Sequence, residues 1–181
     1  MPSTPEPARR LFFALWPDED VRRALVAADR RLGREGRRVA ADNLHLTLVF
    51  LGATPADRQA CFTRAAAGVQ GEPFELVLDR FGFFPRPRVL WLGSSRPPAA
   101  LGRLVEALGA ALLPCGFTPD SRPFAPHVTL RRKARRLPAL QPVRPVVWPV
   151  RDFCLCESVS MPDGVQYRVL ERWGWGVRRE A

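Results

Sequence analysis

Residues 45–48 read His-Leu-Thr-Leu and residues 127–130 read His-Val-Thr-Leu, and these two stretches contain both histidines of the 181-residue chain. Alternating aliphatic and polar residues are typical of a half-buried strand. Because successive side chains of a strand alternate between its faces, each stretch directs its histidine and threonine to one side and its aliphatic residues to the core. Two such strands facing each other predict a symmetric polar site.

The segments around these stretches predict helices and strands in a repeated order. Strands are predicted over residues 10–16, 43–51, 74–84, 89–93 and 127–130, and a hairpin over 150–173. Helices are predicted to begin near Pro17, Thr54 and Pro97 or Pro98. This order predicts a bilobal α+β fold, in which two antiparallel sheets with helices outside leave a central cleft.

Length and composition predict a single domain spanning residues 1–181, with residues 1–9 as a flexible N-terminal tail. The formal net charge of +10 favours an anionic partner such as RNA, although the arginine bias of a GC-rich genome gives the same excess. No apolar window is long enough to span a membrane. The four cysteines are scattered, which favours reduced thiols and a cytoplasmic location.

The repeated stretches predict acid-base chemistry at a phosphate. Two imidazoles with an ordinary pKa of about 6.5 can share the roles of base and acid near neutral pH. His45 and His127 are therefore the candidate catalytic pair, and the hydroxyls of Thr47 and Thr129 can donate to phosphate oxygens. A single strand histidine is more often a packing residue, but packing does not explain why threonine follows twice at the same offset.

An arginine next to the second stretch is a candidate phosphate ligand. Strict alternation places Arg131 on the face of His127, whereas a bulge or turn would place Arg132 there. A metal site is the competing chemical interpretation, because Cys154 and Cys156 share one strand face. The sequence contains no HExxH or CxxC motif, so we expect no metal and no cofactor.

The sequence resembles the two-histidine (2H) phosphoesterase superfamily, and within it the bacterial RNA 2′,3′-cyclic phosphodiesterases, also described as 2′-5′ RNA ligases. The resemblance covers most of the chain. It rests on the two HxTx motifs and on the segments Arg10-Leu-Phe-Phe-Ala14, Asp42-Asn-Leu44, Phe50-Leu-Gly52, residues 89–93, Arg122-Pro-Phe124 with Pro126, Tyr167 and Leu170-Glu-Arg-Trp173.

The resemblance implies hydrolysis of RNA 2′,3′-cyclic phosphate ends to 2′-phosphates without metal or ATP. It implies that His127 activates water, that His45 protonates the leaving 3′ oxygen, and that Thr47 and Thr129 bind phosphate. The family arginine maps to Arg132. Phe13 maps to an aromatic residue near the site, where it would stack on a base, with Phe12 as the alternative inward residue.

Two other functions remain compatible with these residues. A non-catalytic RNA-binding domain would use the basic surface and the aromatic residues for binding alone. A related phosphodiesterase would act on a small cyclic nucleotide with the same chemistry. The reverse reaction, which forms a 2′-5′ linkage, follows from microscopic reversibility. We expect a monomer that binds RNA and does not associate with membranes.

Overall fold

The computed structural model describes residues 7–139 and 144–176, and these ranges contain ten strands and three α-helices. The strands are β1 (Arg9–Leu15), β2 (Arg37–Arg38), β3 (Leu46–Thr54), β4 (Phe74–Leu78), β5 (Arg80–Phe84), β6 (Val89–Gly93), β7 (His127–Arg132), β8 (Val146–Val150), β9 (Asp152–Met161) and β10 (Gly164–Gly174). The helices are α1 (Glu19–Arg30), α2 (Ala56–Ala67) and α3 (Ala99–Leu112), with short 3-10 helices at Ala41–Asn43 and Leu113–Cys115.

The first helix begins where its sequence predicts. The side chain of Asp18, the N-cap residue, accepts a hydrogen bond from the backbone N–H of Val21 at 2.9 Å. Glu19 and Asp20 add negative charge to the first turn, which complements the helix dipole. Val21 and Leu25 are buried against the sheet.

Eight strands form one antiparallel sheet in the order β10-β9-β1-β3-β7-β6-β5, with β2 paired to β7. The two strands that carry the HxTx motifs, β3 and β7, are neighbours in the middle of this sheet. Among the described residues, a single pair, Leu46 and Val128, joins them. The sheet therefore has two halves that meet at the candidate site.

The helices cover one face of this sheet. The main core contains Leu25, Phe62 and Leu104 from the three helices together with Leu46 and Val128 from the two central strands. The histidines are directed to the other face, because they alternate with these buried residues. The predicted α+β class, with two antiparallel sheets and helices outside, is confirmed.

Within the described residues, the second sheet consists of β4 and β8. Residues 74–84, predicted as one strand, form β4 and β5 in different sheets. The break lies at Asp79, whose carboxylate accepts hydrogen bonds from the backbone N–H and the hydroxyl of Ser95 at 2.7 and 2.5 Å. The sequence did not predict β8, because Pro149 disfavours a strand interior; β8 tolerates it because only one of its edges is paired.

Three further expectations concern the chain ends, the cysteines and membranes. Residues 1–6 of the predicted tail lie outside the described residues, and Arg9, the last residue of that tail, already belongs to β1.

Cys61 and Cys115, expected to be reduced, form a disulfide, because α2 packs against the end of α3 and brings their Cα atoms to 5.7 Å. No helix in the described ranges is long and apolar enough to cross a membrane.

Candidate active site

The junction of β3 and β7 brings the two HxTx motifs together. Because these antiparallel strands pair at Leu46 and Val128, the register places His45 opposite Thr129 and Thr47 opposite His127. Leu46 and Val128 are fully buried on the helix side, whereas the histidines and threonines are only partly buried on the open side. The four polar residues therefore form an arrangement with approximate twofold symmetry on one face.

A hydrogen bond to the backbone fixes the orientation of the His45 ring. Its Nδ1 lies 2.7 Å from the carbonyl oxygen of Asn43, which can only accept, so Nδ1–H is the donor. In the neutral ring, Nε2 is then an acceptor, and it lies 3.1 Å from the hydroxyl oxygen of Thr47. The ring is thus held with Nε2 beside the threonine that the sequence predicts as a phosphate ligand.

His127 has the same backbone arrangement. Its Nδ1 lies 2.7 Å from the carbonyl oxygen of Ala125, again two residues before the histidine. The edge of the Phe84 ring contacts it at a centroid distance of 5.0 Å, and the Trp91 ring lies at 6.2 Å. Both rings therefore use Nδ1 as an anchor, which leaves Nε2 for chemistry.

Three aromatic residues, Phe12, Trp16 and Tyr167, form a cluster around His45. Trp16 stacks on the imidazole at a centroid distance of 5.5 Å and an interplanar angle of 6°. Phe12 lies at 4.9 Å, and Tyr167 makes an edge contact at 4.8 Å. This aromatic cluster shields His45 from water more than the neighbours of His127 shield that ring.

Asn43 holds the strand that carries Tyr167. Its side-chain amide donates to the carbonyl oxygen of Val165 at 2.7 Å and accepts from the backbone N–H of Tyr167 at 3.1 Å. The same residue provides the carbonyl that anchors the His45 ring. Asn43 therefore couples the position of His45 to that of β10.

Both histidines have a pKa below the ordinary value of 6.5, and burial is the largest cause in each case. The pKa of His45 is lowered to about 4 by burial and by the charges of Arg132 and His127, against the opposing hydrogen bond to Asn43. The pKa of His127 is lowered by burial and Arg132, against the hydrogen bond to Ala125. Both lowered pKa values favour neutral imidazoles, and a bound anion would raise them.

Arg132, rather than Arg131, lies on the face of the histidines. The register of β6 and β7 shifts between Thr129 and Arg131, which leaves Leu130 as an extra, bulged residue. As a result Leu130 and Arg131 are both buried, and Arg132 is exposed. Arg132 is near enough to both histidines for its charge to lower their pKa values. The bulge thus selects between the two arginines that strand alternation left open.

Arg131 has a structural role. Its guanidinium makes an ion pair with the carboxylate of Asp29, which is itself almost buried, and donates to the carbonyl oxygens of Asp29, Gly33 and Glu35 at 3.0–3.2 Å. These contacts hold the end of α1 against β7. The buried charge is therefore compensated inside the fold and is not available to a ligand.

The prediction that Phe13 lies at the site is wrong. Phe13 is fully buried and packs on Phe153 and Trp173 at centroid distances of 6.1 and 6.0 Å, on the helix side of the sheet. Phe12, the alternative that the sequence left open, is the residue beside His45. The physical reason is alternation: Ala14 pairs with Thr47, so the even-numbered residues of β1 share the face of the motif threonine.

Trp16, Tyr167 and Asn43 were not predicted as site residues. Trp16 follows Phe12 and Ala14 at alternate positions, so it was predictable once Phe12 was known to face His45. Tyr167 and Asn43 are 124 residues apart and meet through the hydrogen bonds of the Asn43 side chain to β10, although both belong to the segments on which the family resemblance rests.

The cysteine pair considered as a metal site is fully buried. Cys154 and Cys156 lie with their sulfur atoms 3.4 Å apart and pack with Phe12 and Ala14. Within residues 7–139 and 144–176, no group of three or more histidine, cysteine, aspartate or glutamate side chains is arranged to hold a metal ion. The two thiols fill space as small apolar residues do.

The chain is similar in sequence to known proteins over most of its length. A family model for the 2′-5′ RNA ligase superfamily matches residues 17–159. The RNA 2′,3′-cyclic phosphodiesterase of Escherichia coli (strain K12) is 36% identical over 169 residues, which cover 91% of this chain and 96% of that protein. The protein of the same name from Thermus thermophilus is 34% identical over 182 residues, covering 91% of this chain and 89% of its own.

The fold of the chain is also similar to solved structures from the same family. The chain is similar to E. coli LigT in its apo form, with a TM-score of 0.86, 34% identity and coverage of 93% of this chain and 98% of that one. It is equally similar to E. coli LigT complexed with 3′-AMP, with a TM-score of 0.85, 35% identity and the same coverage. The similarity therefore extends over both halves of the fold and includes the junction of β3 and β7.

Proposed function

The chain belongs to the 2′-5′ RNA ligase superfamily, and from that premise we propose that it hydrolyses RNA 2′,3′-cyclic phosphate ends to 2′-phosphates. The proposed enzyme is an RNA 2′,3′-cyclic 3′-phosphodiesterase contained in one domain over residues 1–181. The observation that carries the proposal is the register of β3 and β7, which places two similarly anchored histidines and two threonines on one open face. The relatives named as RNA 2′,3′-cyclic phosphodiesterases support it.

The reaction requires two proton transfers at opposite sides of one phosphorus atom. Water attacks phosphorus while a base removes its proton, and the bond from phosphorus to the 3′ oxygen breaks while an acid protonates that oxygen. The phosphate stays on the 2′ oxygen. We propose His45 and His127 as the base and acid, acting through their Nε2 atoms, because both Nδ1 atoms are engaged with backbone carbonyls.

The resemblance to the family implies that His127 is the base and His45 the acid. Both lowered pKa values favour neutral rings before substrate binds, so the order of the two roles rests on the family resemblance. Burial lowers the pKa of His45 to about 4, so this pKa must rise for the ring to act as an acid, and a bound phosphate raises it. Once protonated, a buried imidazolium is a strong acid, which suits a poor alkoxide leaving group.

The other predicted residues act as phosphate ligands in this proposal. Thr47 and Thr129 donate hydroxyl hydrogen bonds to the non-bridging oxygens, and Arg132 offsets the charge that builds up on them in the transition state. The Arg132 charge already influences both histidines, which supports its place beside the phosphate. Phe12, which is 3% exposed, replaces Phe13 as an aromatic residue of the site, where it packs against His45 and positions that ring.

We propose no metal, ATP or other cofactor for this reaction, because the two imidazoles supply both proton transfers. By microscopic reversibility the same pair can catalyse 2′-5′ ligation, but hydrolysis dominates in water without an activated nucleotide. We further propose a monomer that acts on RNA in the cytoplasm. The names of its relatives support RNA as the substrate, whereas the Cys61–Cys115 disulfide is atypical of a reducing compartment.

The decisive experiment uses an oligoribonucleotide with a 2′,3′-cyclic phosphate end. Wild-type protein, His45→Ala and His127→Ala are incubated with it in EDTA, and the products are separated by chromatography. We expect a 2′-phosphate product from the wild type alone. Bound but unhydrolysed RNA with all three proteins would instead identify a non-catalytic RNA-binding domain. Turnover of small cyclic nucleotides but not of RNA would redirect the assignment to that substrate class.

A further inference from the structure

Strands β2 and β7 place four arginines in two opposed pairs. Arg37 pairs with Arg132, and Arg38 pairs with Arg131. Directly opposed residues of an antiparallel pair project to the same face, with Cβ atoms about 5 Å apart. One pair therefore lies on the helix side of the sheet, and the other lies on the open side with the histidines.

The pair on the helix side is neutralised within the protein. Arg131 and Arg38 both contact the carboxylate of Asp29, and the Nε atom of Arg38 lies 3.0 Å from its Oδ2. This carboxylate is only 10% exposed, so the attraction is little screened by water. An acidic residue of α1 thus compensates two adjacent arginines.

The pair on the open side has no such carboxylate. Arg37 and Arg132 are both exposed, and in the described part of the chain neither forms a salt bridge with an acidic side chain. Among the residues that the structure describes, the Arg37 side chain donates one hydrogen bond, to the backbone carbonyl of Asp163 at 3.3 Å, in the turn between β9 and β10. Like charges directly opposed across two strands are unfavourable unless an anion lies between them.

Gly36 permits this close pairing. Its φ of +68° lies in the left-handed region, and a Cβ atom there would be 2.8 Å from the carbonyl oxygen of Arg132. Only glycine fits such a position without displacing the backbone. The backbone before Arg37 is therefore built to bring this arginine next to Arg132.

We propose that Arg37 binds the phosphodiester that precedes the terminal nucleotide, so that the site selects an RNA strand over a cyclic mononucleotide. This inference rests on the proposed function. Arg132 is near both histidines and binds the cyclic phosphate, whereas Arg37 lies opposite Arg132 on the neighbouring strand β2. A cyclic mononucleotide has a single phosphate and leaves Arg37 without a ligand, but an oligonucleotide supplies a second anion to the same pair of arginines.

The test compares two substrates, a nucleoside 2′,3′-cyclic monophosphate and a short oligoribonucleotide ending in the same cyclic nucleotide. We measure kcat/KM for both with wild type, Arg37→Gln and the control Arg58→Gln, which removes one exposed charge from α2 on the helix side. We expect the ratio of kcat/KM for oligonucleotide to that for mononucleotide to fall about tenfold in Arg37→Gln and to stay unchanged in Arg58→Gln. The dependence of the oligonucleotide reaction on salt should become shallower by about one phosphate contact.

Each alternative outcome has a distinct meaning. An unchanged ratio in Arg37→Gln, with an active wild type, would overturn the inference and leave the proposed function intact. An equal loss on both substrates would also overturn it, because Arg37 would then serve the cyclic phosphate itself. An inactive wild type on both substrates would refute the proposed function instead. The melting temperature of Arg37→Gln should not fall, since the substitution relieves a repulsion, whereas the loss of a structural arginine would lower it.

Discussion

His45 and His127 occupy equivalent positions in two similar motifs, and they differ in what surrounds them. Both anchor Nδ1 on the carbonyl of the residue two positions earlier. His45 lies inside the aromatic cluster of Phe12, Trp16 and Tyr167, whereas His127 contacts Phe84 and Trp91 at the more open half of the sheet. The backbone gives the two rings the same orientation, and burial gives them different pKa values.

This difference suggests how one motif can serve two chemical roles. Different surroundings can give two residues of the same type different proton affinities and therefore different roles. In this protein the difference comes from the residues around each ring rather than from the HxTx motifs. Substitutions that change one ring, or its neighbours, at a time therefore test this difference.

The largest effect follows from removing each histidine in turn. We expect His45→Ala and His127→Ala each to lower kcat by about a thousandfold, because each variant loses one proton transfer. A substrate with sulfur in place of the 3′ oxygen distinguishes the two roles. Its thiolate leaving group has a far lower pKa than an alkoxide and departs without an acid.

With this sulfur substrate, activity should recover in the variant that lacks the acid and stay low in the variant that lacks the base. The family resemblance predicts recovery in His45→Ala. Recovery in His127→Ala would reverse the order of the roles, and recovery in both or neither would contradict a division into one acid and one base.

The next effect contrasts the two arginines at the end of β7. Arg131→Met should lower the free energy of unfolding by about 3 kcal/mol, because it leaves the buried carboxylate of Asp29 with Arg38 as its remaining partner. Arg132→Met should leave stability nearly unchanged and lower kcat/KM by roughly a hundredfold. Urea denaturation and turnover assays measure the two effects. A stability loss in Arg132→Met together with full activity would contradict a phosphate-binding role for Arg132.

These arginines also show what the sequence can and cannot predict. The HxTx motifs predicted the four polar residues at the junction of β3 and β7, because strand alternation is local. The choice between Arg131 and Arg132 depended on the bulge at Leu130, and no local pattern reveals a bulge. The sequence alone left that choice open, and only the family resemblance favoured Arg132.

The prediction for the first strand, that Phe13 faces the site, was wrong for a different reason. Residues 11–15 of β1 are buried on both faces of the sheet, so they show no alternation of polar and apolar residues. Without alternation, the sequence does not say whether Phe12 or Phe13 faces the site. The division of residues 74–84 between two sheets, like the disulfide between Cys61 and Cys115, depends on packing between distant segments, and such packing leaves no local sequence signal.

Burial of neutral His45 should make stability depend on pH. Its pKa is about 4 in the folded protein and about 6.5 in the unfolded chain, so the unfolded chain binds more protons between these values. The stabilising contribution is therefore complete above pH 6.5 and is lost as the pH falls toward 4, by up to about 3 kcal/mol. His127 contributes in the same direction.

Urea denaturation of wild type and His45→Gln at several pH values tests this linkage. The decrease in the free energy of unfolding from pH 7 to pH 4 should be smaller in His45→Gln than in wild type. Parallel pH curves for the two proteins would contradict the low pKa of His45.

The smallest effect tests whether the aromatic cluster causes the difference between the two rings. Trp16→Leu removes the indole that stacks on His45 and admits water, so the pKa of His45 should rise by about one unit toward 6.5. The matched variant Phe84→Leu should move the pKa of His127 less, because that ring is already closer to solvent. The chain has only two histidines, so NMR titration of tag-free protein resolves both imidazoles. A fixed His45 pKa in Trp16→Leu would mean that the stacked indole does not cause the difference between the two rings.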